Sequence, residues 1–440
     1  MTLLRRNKTE SVSRIGVKPL NGGVEGGGRF TSIVFLGLAT GLNALGPFLV
    51  IPSVTRTSGV DGWGALALGT SVGTIGSVIV MWGWAVHGPV LTADSDSEEK
   101  RNVVGAMSAF CRVPLLLPTA IAAATLGALL SPGYRTFAAL VAIAFCMSGL
   151  TFVWHFVGSQ RSNLVLIVDS LPRFAAAGLA SLGIYLTGEL IIYPVLLMAC
   201  GILTTLWSMK LVGVFKSSLS VSRDNLRRSY SATAGAGVSQ LASAVYINGA
   251  VTLVAFGSAV ALPVFSAGNR LYLALITAAV PVFQFFVGYV GTPGRGIDRY
   301  ASRVKKALLV QSVMAVACGV FAPFVFVWLS PLVFTDQIEI PFSIFFLSGW
   351  CAAVVIVNRA VTSHLLLANE RSSLLAKAAV AGAIFAAIAI PAGAKIGGAV
   401  WATVSVLTTE ILVCVICSVG AWSAWRSGAH VRMPDDGVMR

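Results

Sequence analysis

Runs of about twenty apolar residues, separated by short polar links, repeat along almost the whole chain. A helix needs about 20 apolar residues to cross a bilayer core of about 30 Å. Runs of that kind fall at roughly 31–51, 65–88, 103–130, 136–157, 164–187 and 190–213, then at 236–257, 263–290, 307–329, 341–363, 374–393 and 396–421. The links between these twelve spans are too short to hold a soluble catalytic domain. Of the 440 residues 56% are hydrophobic and only 11% charged, with mean hydropathy +0.84. Lipid is therefore the solvent for most of the chain. The expected fold is all-α and membrane-embedded, with about 12 transmembrane helices.

The basic residues orient those helices. With the N-terminus inside, the cytoplasmic tails and loops, together with Lys377 at the cytoplasmic start of span 11, hold 23 of the 31 lysines and arginines, and the outer links hold only Arg56, Arg135 and Lys395. That asymmetry is what the positive-inside rule describes. It predicts a multi-pass protein of the cytoplasmic (plasma) membrane with both termini cytoplasmic. The net charge of +14 thus marks topology and does not imply nucleic acid. Two basic segments dominate, "KSSLSVSRDNLRRSY" (216–230) and "GTPGRGIDRYASRVKKA" (291–307). Both would lie against anionic lipid headgroups, where each cation gains about 1 kcal/mol. Residues 1–29 are polar, basic and glycine-rich without an apolar core, which fits a cytoplasmic tail and not a cleaved signal peptide. The expected organisation is that tail, a first lobe at 30–215, an inter-lobe loop at 216–230, a second lobe at 231–421 and a tail at 422–440.

Three echoes suggest that the lobes are copies. "GSQRSNLVL" (158–166) recurs as "ANERSSLLA" (368–376), each with an Arg-Ser opening a span, the fifth and the eleventh. "ILTTLWS" (202–208) in span 6 pairs with "VLTTEIL" (406–412) in span 12, and more weakly "WGALALG" (63–69) with "LPVFSAG" (262–268). Their common order favours a parallel 6+6 duplication. Two such lobes enclose a cavity, and rocking one against the other gives alternating access, the architecture of a transporter.

The chain resembles the polysaccharide-repeat flippases (Wzx-type) of the MATE/MOP (multidrug/oligosaccharidyl-lipid/polysaccharide) superfamily. The resemblance runs over most of 30–421. It is clearest in "PFLVIPSVTRTSGVDGWGALALGTSV" (47–72), where Arg56, Gly59 and Gly64 fit the family's link between spans 1 and 2. In "YINGAVTLVAFGSAVALPVFSAGNRLY" (246–272), Asn248, Phe265, Ser266, Ala267 and Arg270 stand where the family has an Asn, an aromatic–Ser–Ala turn and an Arg. "LLLANERSSLLAK" (365–377) and "KIGGAVWATV" (395–404) match as well. Gly249 and Ala250 stand where such proteins often carry an acid, and Pro263 where they have a glycine. The resemblance implies that the chain moves a polyprenyl-pyrophosphate-linked oligosaccharide from the inner to the outer leaflet. It also implies other polysaccharide-biosynthesis membrane proteins as partners.

Charges inside the spans then become candidates for the site, because an unpaired charge in hydrocarbon costs at least about 2.5–3.5 kcal/mol. Lys210 and Arg359 lie within a turn of a span end and suit snorkelling. Arg112 and Arg173 lie about nine residues inside their spans, hence about 13 Å deep, and Arg270 is shallower. The three are expected either to line a cationic cavity that receives a lipid-linked pyrophosphate or to bind helix ends and carboxylates. Arginine suits the first role because its planar fork pairs with phosphate oxygens and keeps its charge out of water. Asn43, Asn248, Gln240 and Gln284, with Arg56 in the outer link, are candidates to bond sugar hydroxyls; holding helices together is the alternative for the amides. Asp169 and Arg173, four residues apart, suit a local ion pair. Glu410 has no cation at i±3 or i±4 and is a candidate, with Asp169, for ion coupling.

His155 and His364 lie at span ends and suit hydrogen bonding. All seven cysteines fall in apolar runs, which fits neither a disulfide framework nor a metal site. No P-loop, nucleophile elbow or zinc pattern occurs, so no cofactor or metal is expected and coupling would come from a gradient. An ion-coupled MATE-type exporter of small molecules is the nearest alternative function, although it calls for carboxylates facing the cavity. A multispan saccharide polymerase or ligase would need a large outer loop with polar groups, which the chain lacks.

Overall fold

The computed structural model describes residues 26–217, 222–290, 297–366 and 372–426. Both tails, parts of the two basic segments (218–221 and 291–296) and Arg371 of the second Arg-Ser repeat lie outside the described residues. Among the described residues all regular structure is helical. Nine helices are long and apolar enough to cross a membrane, and a bent pair, Asp224–Ile247 and Ala250–Gly257, makes a tenth. Two of the nine, Val34–Met81 and Ser373–Ser423, are 48 and 51 residues long. At about 1.5 Å per residue each is about twice the thickness of a bilayer core. Each is broken by glycine, at Gly59 (φ 61°, ψ −150°) and at Gly398 (φ 66°, ψ −146°). Side chains other than hydrogen are excluded from that region of backbone space. Each long helix is thus long enough for two crossings joined at a glycine, which brings the candidate spans among the described residues to the expected twelve.

Span boundaries depart from the apolar runs wherever tertiary contacts intervene. The helix of span 2 ends at Met81 and not near 88, because Trp82 (φ 41°) and Gly83 (φ 77°) are left-handed. A Cβ at Gly83 would stand 2.5 Å from the carbonyl oxygen of Thr233, so the chain turns where another backbone presses on it. Span 4 is interrupted: the helix Arg135–Met147 tightens through Ser148–Leu150, opens at 151–152 and resumes at Val153–Gly158. Span 5 contains a π-helical turn, Val165–Ser170. Span 7 bends by 55° between Ile247 and Ala250.

The segment 216–230 is not a simple loop. A helix begins at Arg223, where Ser222 Oγ accepts from the Asn225 amide and Asp224 sits in the first turn. Both features satisfy the exposed donors of a helix start. Likewise the helix of span 9 already begins at Ile297.

Span 2 touches the second half of the chain along its whole length. Near Gly59, Trp63 Nε1 donates to the Pro263 carbonyl at 2.9 Å, and its ring meets Phe334 edge-on at 5.0 Å. In the middle, Ser71 Oγ donates to the Asn248 carbonyl at 2.6 Å and lies 2.8 Å from Thr252 Oγ1. At the other end, Trp82 Nε1 donates to the Tyr230 carbonyl at 3.3 Å, and the Tyr230 hydroxyl donates to the Cys111 carbonyl. The weak echo of 63–69 and 262–268 therefore falls on two segments that pack on each other.

Gly83→Ala should lower stability by about 1–3 kcal/mol, through left-handed strain and the clash with Thr233. Gly235→Ala, where a Cβ meets nothing within 4 Å, should leave it unchanged or raise it. Thermal unfolding of the two purified variants in detergent checks this.

Candidate functional site

Arg270 lies nine residues into the helix Leu262–Val290. Its guanidinium stands 5.4 Å from the centre of the Phe48 ring. It lines a cavity walled by Thr70, Ser71 and Thr74 of span 2, Asn248 at the bend of span 7, Ser266 and Asn269 of span 8, and Tyr193 of span 6. No Asp or Glu lines it. The wall sets one cation and these hydroxyls and amides beside an apolar part formed by Pro47, Ile51, Trp63, Leu66, Val251 and Leu273, and hydroxyls and amides of this kind hydrogen-bond neutral polar groups. The bend of span 7 is what turns Asn248 into this wall, and its carbonyl, released from the helix, takes the Ser71 hydroxyl.

Arg173 lines a second cavity with Asn43, Phe145 and Ser148. Pro47 and Tyr193 line both cavities, so the two share a wall. Arg173 Nε donates to Asp169 Oδ1 at 3.1 Å, the ion pair expected from their spacing, and Thr151 Oγ1 donates to the same oxygen at 3.0 Å. Asn43 Nδ2 donates to Ser170 Oγ at 3.0 Å, beside the π-helical turn that carries Asp169 and Ser170. Asn43 thus combines both roles considered for it, joining two helices while lining a cavity.

Arg112 lies elsewhere. It is 0% exposed and lines neither cavity. Its Nη1 donates to the carbonyls of Thr151 at 2.7 Å and Gly149 at 3.1 Å, and its Nε donates to the Ser108 carbonyl at 3.3 Å. The rings of Phe152 and Trp154 lie 4.7 and 5.7 Å from it. Of its two expected roles it fills the structural one, because the break in span 4 exposes carbonyls that must be satisfied where water is absent.

The remaining candidates scatter. Arg56 is exposed near the Gly59 end, and Gln240 is half-buried with its Oε1 unpartnered. Gln284 lines an apolar groove between spans 1 and 8. Glu410 is 3% exposed and accepts from the Tyr272 hydroxyl at 3.1 Å, away from the walls of both cavities. His155 Nε2 lies 3.2 Å from the Arg101 carbonyl oxygen and His364 Nε2 lies 3.1 Å from Gln311 Nε2, so both histidines are in hydrogen bonds. Sequence reasoning missed Tyr193, Asn269, Thr151 and the hydroxyl face of span 2. The spacing of Thr70 and Thr74, one helical turn apart, was the available signal for that face.

Arg112→Ala should cost about 2 kcal/mol or more, because it strands two buried carbonyls. Arg270→Ala should leave stability nearly unchanged. Thermal unfolding midpoints and membrane abundance of the two variants separate these outcomes.

No family model matches the chain, and no curated protein matches it by sequence. Solved structures do match it in fold. The chain is similar to the eukaryotic MATE transporter AtDTX14 (TM-score 0.56, 14% identity, covering 92% of this chain and 99% of that one). It is similar to a MATE transporter of Vibrio cholerae (0.54, 13%, covering 92% and 100%). An outward-facing multidrug resistance MATE transporter of the MOP superfamily also matches (0.50, 14%, covering 91% and 95%). The chain has the MATE/MOP-like membrane fold over nine-tenths of its length.

Proposed function

We propose that this protein flips a polyprenyl-(pyro)phosphate-linked oligosaccharide, or a related lipid-linked saccharide, from the cytoplasmic to the outer leaflet. The single observation that carries the reading is the adjoining pair of cavities. Each holds one arginine, Arg270 or Arg173, with hydroxyls and amides on an otherwise apolar wall, and no carboxylate lines either. A cargo with a phosphate and many hydroxyls matches both kinds of group. Two lobes, 30–215 and 231–421, rock about the cavities in alternating access, with span 2 as the seam.

The groove between spans 1 and 8 supports a lipid-linked cargo. It is lined by Gly37, Thr40, Gly41 and Phe48 on one side and Thr277, Ala278, Pro281 and Gln284 on the other. A Cβ on Gly37 or Gly41 would meet nothing within 4 Å. A polyprenyl chain can stay in lipid at such a groove while its head group crosses. Asn43, Asn248 and Asn269 bond the sugars, and Arg56 and Gln240 are secondary contacts. The protein sits in the plasma membrane with both termini cytoplasmic, its basic segments on anionic lipids, beside other membrane proteins of polysaccharide assembly.

A second reading, an ion-coupled exporter of small molecules, is favoured by the fold neighbours, two of which are named as MATE transporters and a third as a multidrug resistance MATE transporter. A cationic drug would meet Arg270 and Arg173 with no carboxylate on the cavity walls, which disfavours it. In either reading Glu410, buried against Tyr272, is the residue for ion coupling.

Deleting the protein should cause a lipid-linked saccharide to accumulate on the cytoplasmic side. An Arg173→Ala, Arg270→Ala double variant should reproduce the deletion; normal polymer from a stably expressed double variant would contradict the cationic-cavity reading. Glu410→Gln should slow transport and flatten its pH dependence in vesicles with an imposed pH gradient. Undiminished, equally pH-dependent transport would remove Glu410 from the coupling.

A further inference from the structure

Arg173 belongs to a chain of contacts that begins at Arg112. The guanidinium of Arg112 holds the carbonyls of Gly149 and Thr151 at 3.1 and 2.7 Å and so fixes the broken turn of span 4. The side chain of that same Thr151 points the other way along the chain of contacts: its hydroxyl donates to Asp169 Oδ1 at 3.0 Å. Asp169 Oδ1 in turn takes Arg173 Nε at 3.1 Å. Thr151 therefore faces two ways, with its carbonyl on the buried arginine and its hydroxyl on the carboxylate that grips the cavity arginine.

The edge of Arg173 that is gripped matters. A guanidinium carries five N–H groups in one plane. Asp169 engages Nε, and neither Nη of Arg173 has a hydrogen-bond partner among the described residues. The Nη pair is an edge that donates to two oxygens of a phosphate in parallel. A carboxylate left to rotate would compete for it, since Arg–carboxylate pairs also favour the two-pronged arrangement. The Asp169 side chain is 11% exposed and its Oδ1 is already shared by two donors, which keeps it on the Nε side.

We infer that Thr151 is a positioning residue for an oxyanion site at Arg173: by holding Asp169 on Nε it leaves the Nη edge open to the cavity. This rests on the cationic-cavity reading above and adds to it a residue that lines neither cavity. The ligand class is a phosphate or pyrophosphate ester with two oxygens to offer in one plane. Arg112 binds the backbone of Thr151 and not its hydroxyl, so the broken turn keeps that anchor when the side chain is changed and loses only the long contact from the Val153 amide to Thr151 Oγ1 at 3.4 Å.

The test uses the full-length protein in nanodiscs, titrated with farnesyl pyrophosphate as the probe. Thr151→Val removes the hydroxyl at nearly constant shape and should weaken binding roughly tenfold, the loss expected from one charge-assisted hydrogen bond. Thr151→Ser should bind within about twofold of the parent and unfold at the same temperature, and Thr151→Val should unfold only slightly lower through loss of the long Val153 amide contact. Parent-like binding by Thr151→Val would overturn the inference, as would equal weakening by Thr151→Ser. Site-resolved modification of Arg173 by phenylglyoxal supplies a readout that needs no cargo. Thr151→Val should slow it as Asp169 covers the Nη edge, and an unchanged rate overturns the positioning. If the parent ignores farnesyl pyrophosphate but the phenylglyoxal difference holds, the pyrophosphate cargo fails and the positioning of Arg173 stands.

Discussion

A guanidinium inside a bilayer must be solvated by protein, and three arginines of this chain meet that demand in three ways. Arg112 takes carbonyls set free by a break in span 4, with two aromatic rings beside it. Arg173 takes one carboxylate on one edge. Arg270 takes the face of Phe48 and a wall of hydroxyls and amides. A fully buried cation without acceptors would cost several kcal/mol, so each of these surroundings is a condition of folding. The break in span 4 meets it for Arg112, since only a helix that breaks or bends releases backbone acceptors at depth.

The second organising element is span 2. Its contacts with the second half lie at Trp63, Ser71 and Trp82, so one helix meets that half near both ends and at the centre. Indole N–H groups close the two ends by donating to backbone carbonyls, whose positions do not depend on rotamers. In the proposed cycle span 2 is the seam between the two lobes.

The fold was legible because lipid imposes a simple rule: twelve apolar runs of spanning length became twelve crossings. The glycine-containing link after Arg56 was legible too, since Gly59 adopts a backbone conformation closed to other residues. The interruptions were not, because an apolar sequence such as "FCMSGLTFVW" (145–154) is helical until a distant arginine claims its carbonyls. Depth along a span could be counted, and it singled out Arg112 and Arg173 as charges that need partners. Which way a helix faces depends on its packing, and that is why Arg112 turned inward to carbonyls while Arg173 reached a cavity. Asn269 and Tyr193 were passed over for a related reason: small polar and aromatic residues are common in spans, and only the neighbouring helices mark them as cavity walls.

In the proposed function the cationic cavity carries an anionic lipid-linked saccharide. The most direct measurement is a leaflet-access assay in proteoliposomes, with a fluorescent polyprenyl-pyrophosphate-linked saccharide and a membrane-impermeant quencher. The parent protein should expose the inner-leaflet pool to the quencher, and the Arg173→Ala, Arg270→Ala double variant should leave it protected. Equal exposure by both proteins, or export of an organic cation in place of the saccharide, would contradict it.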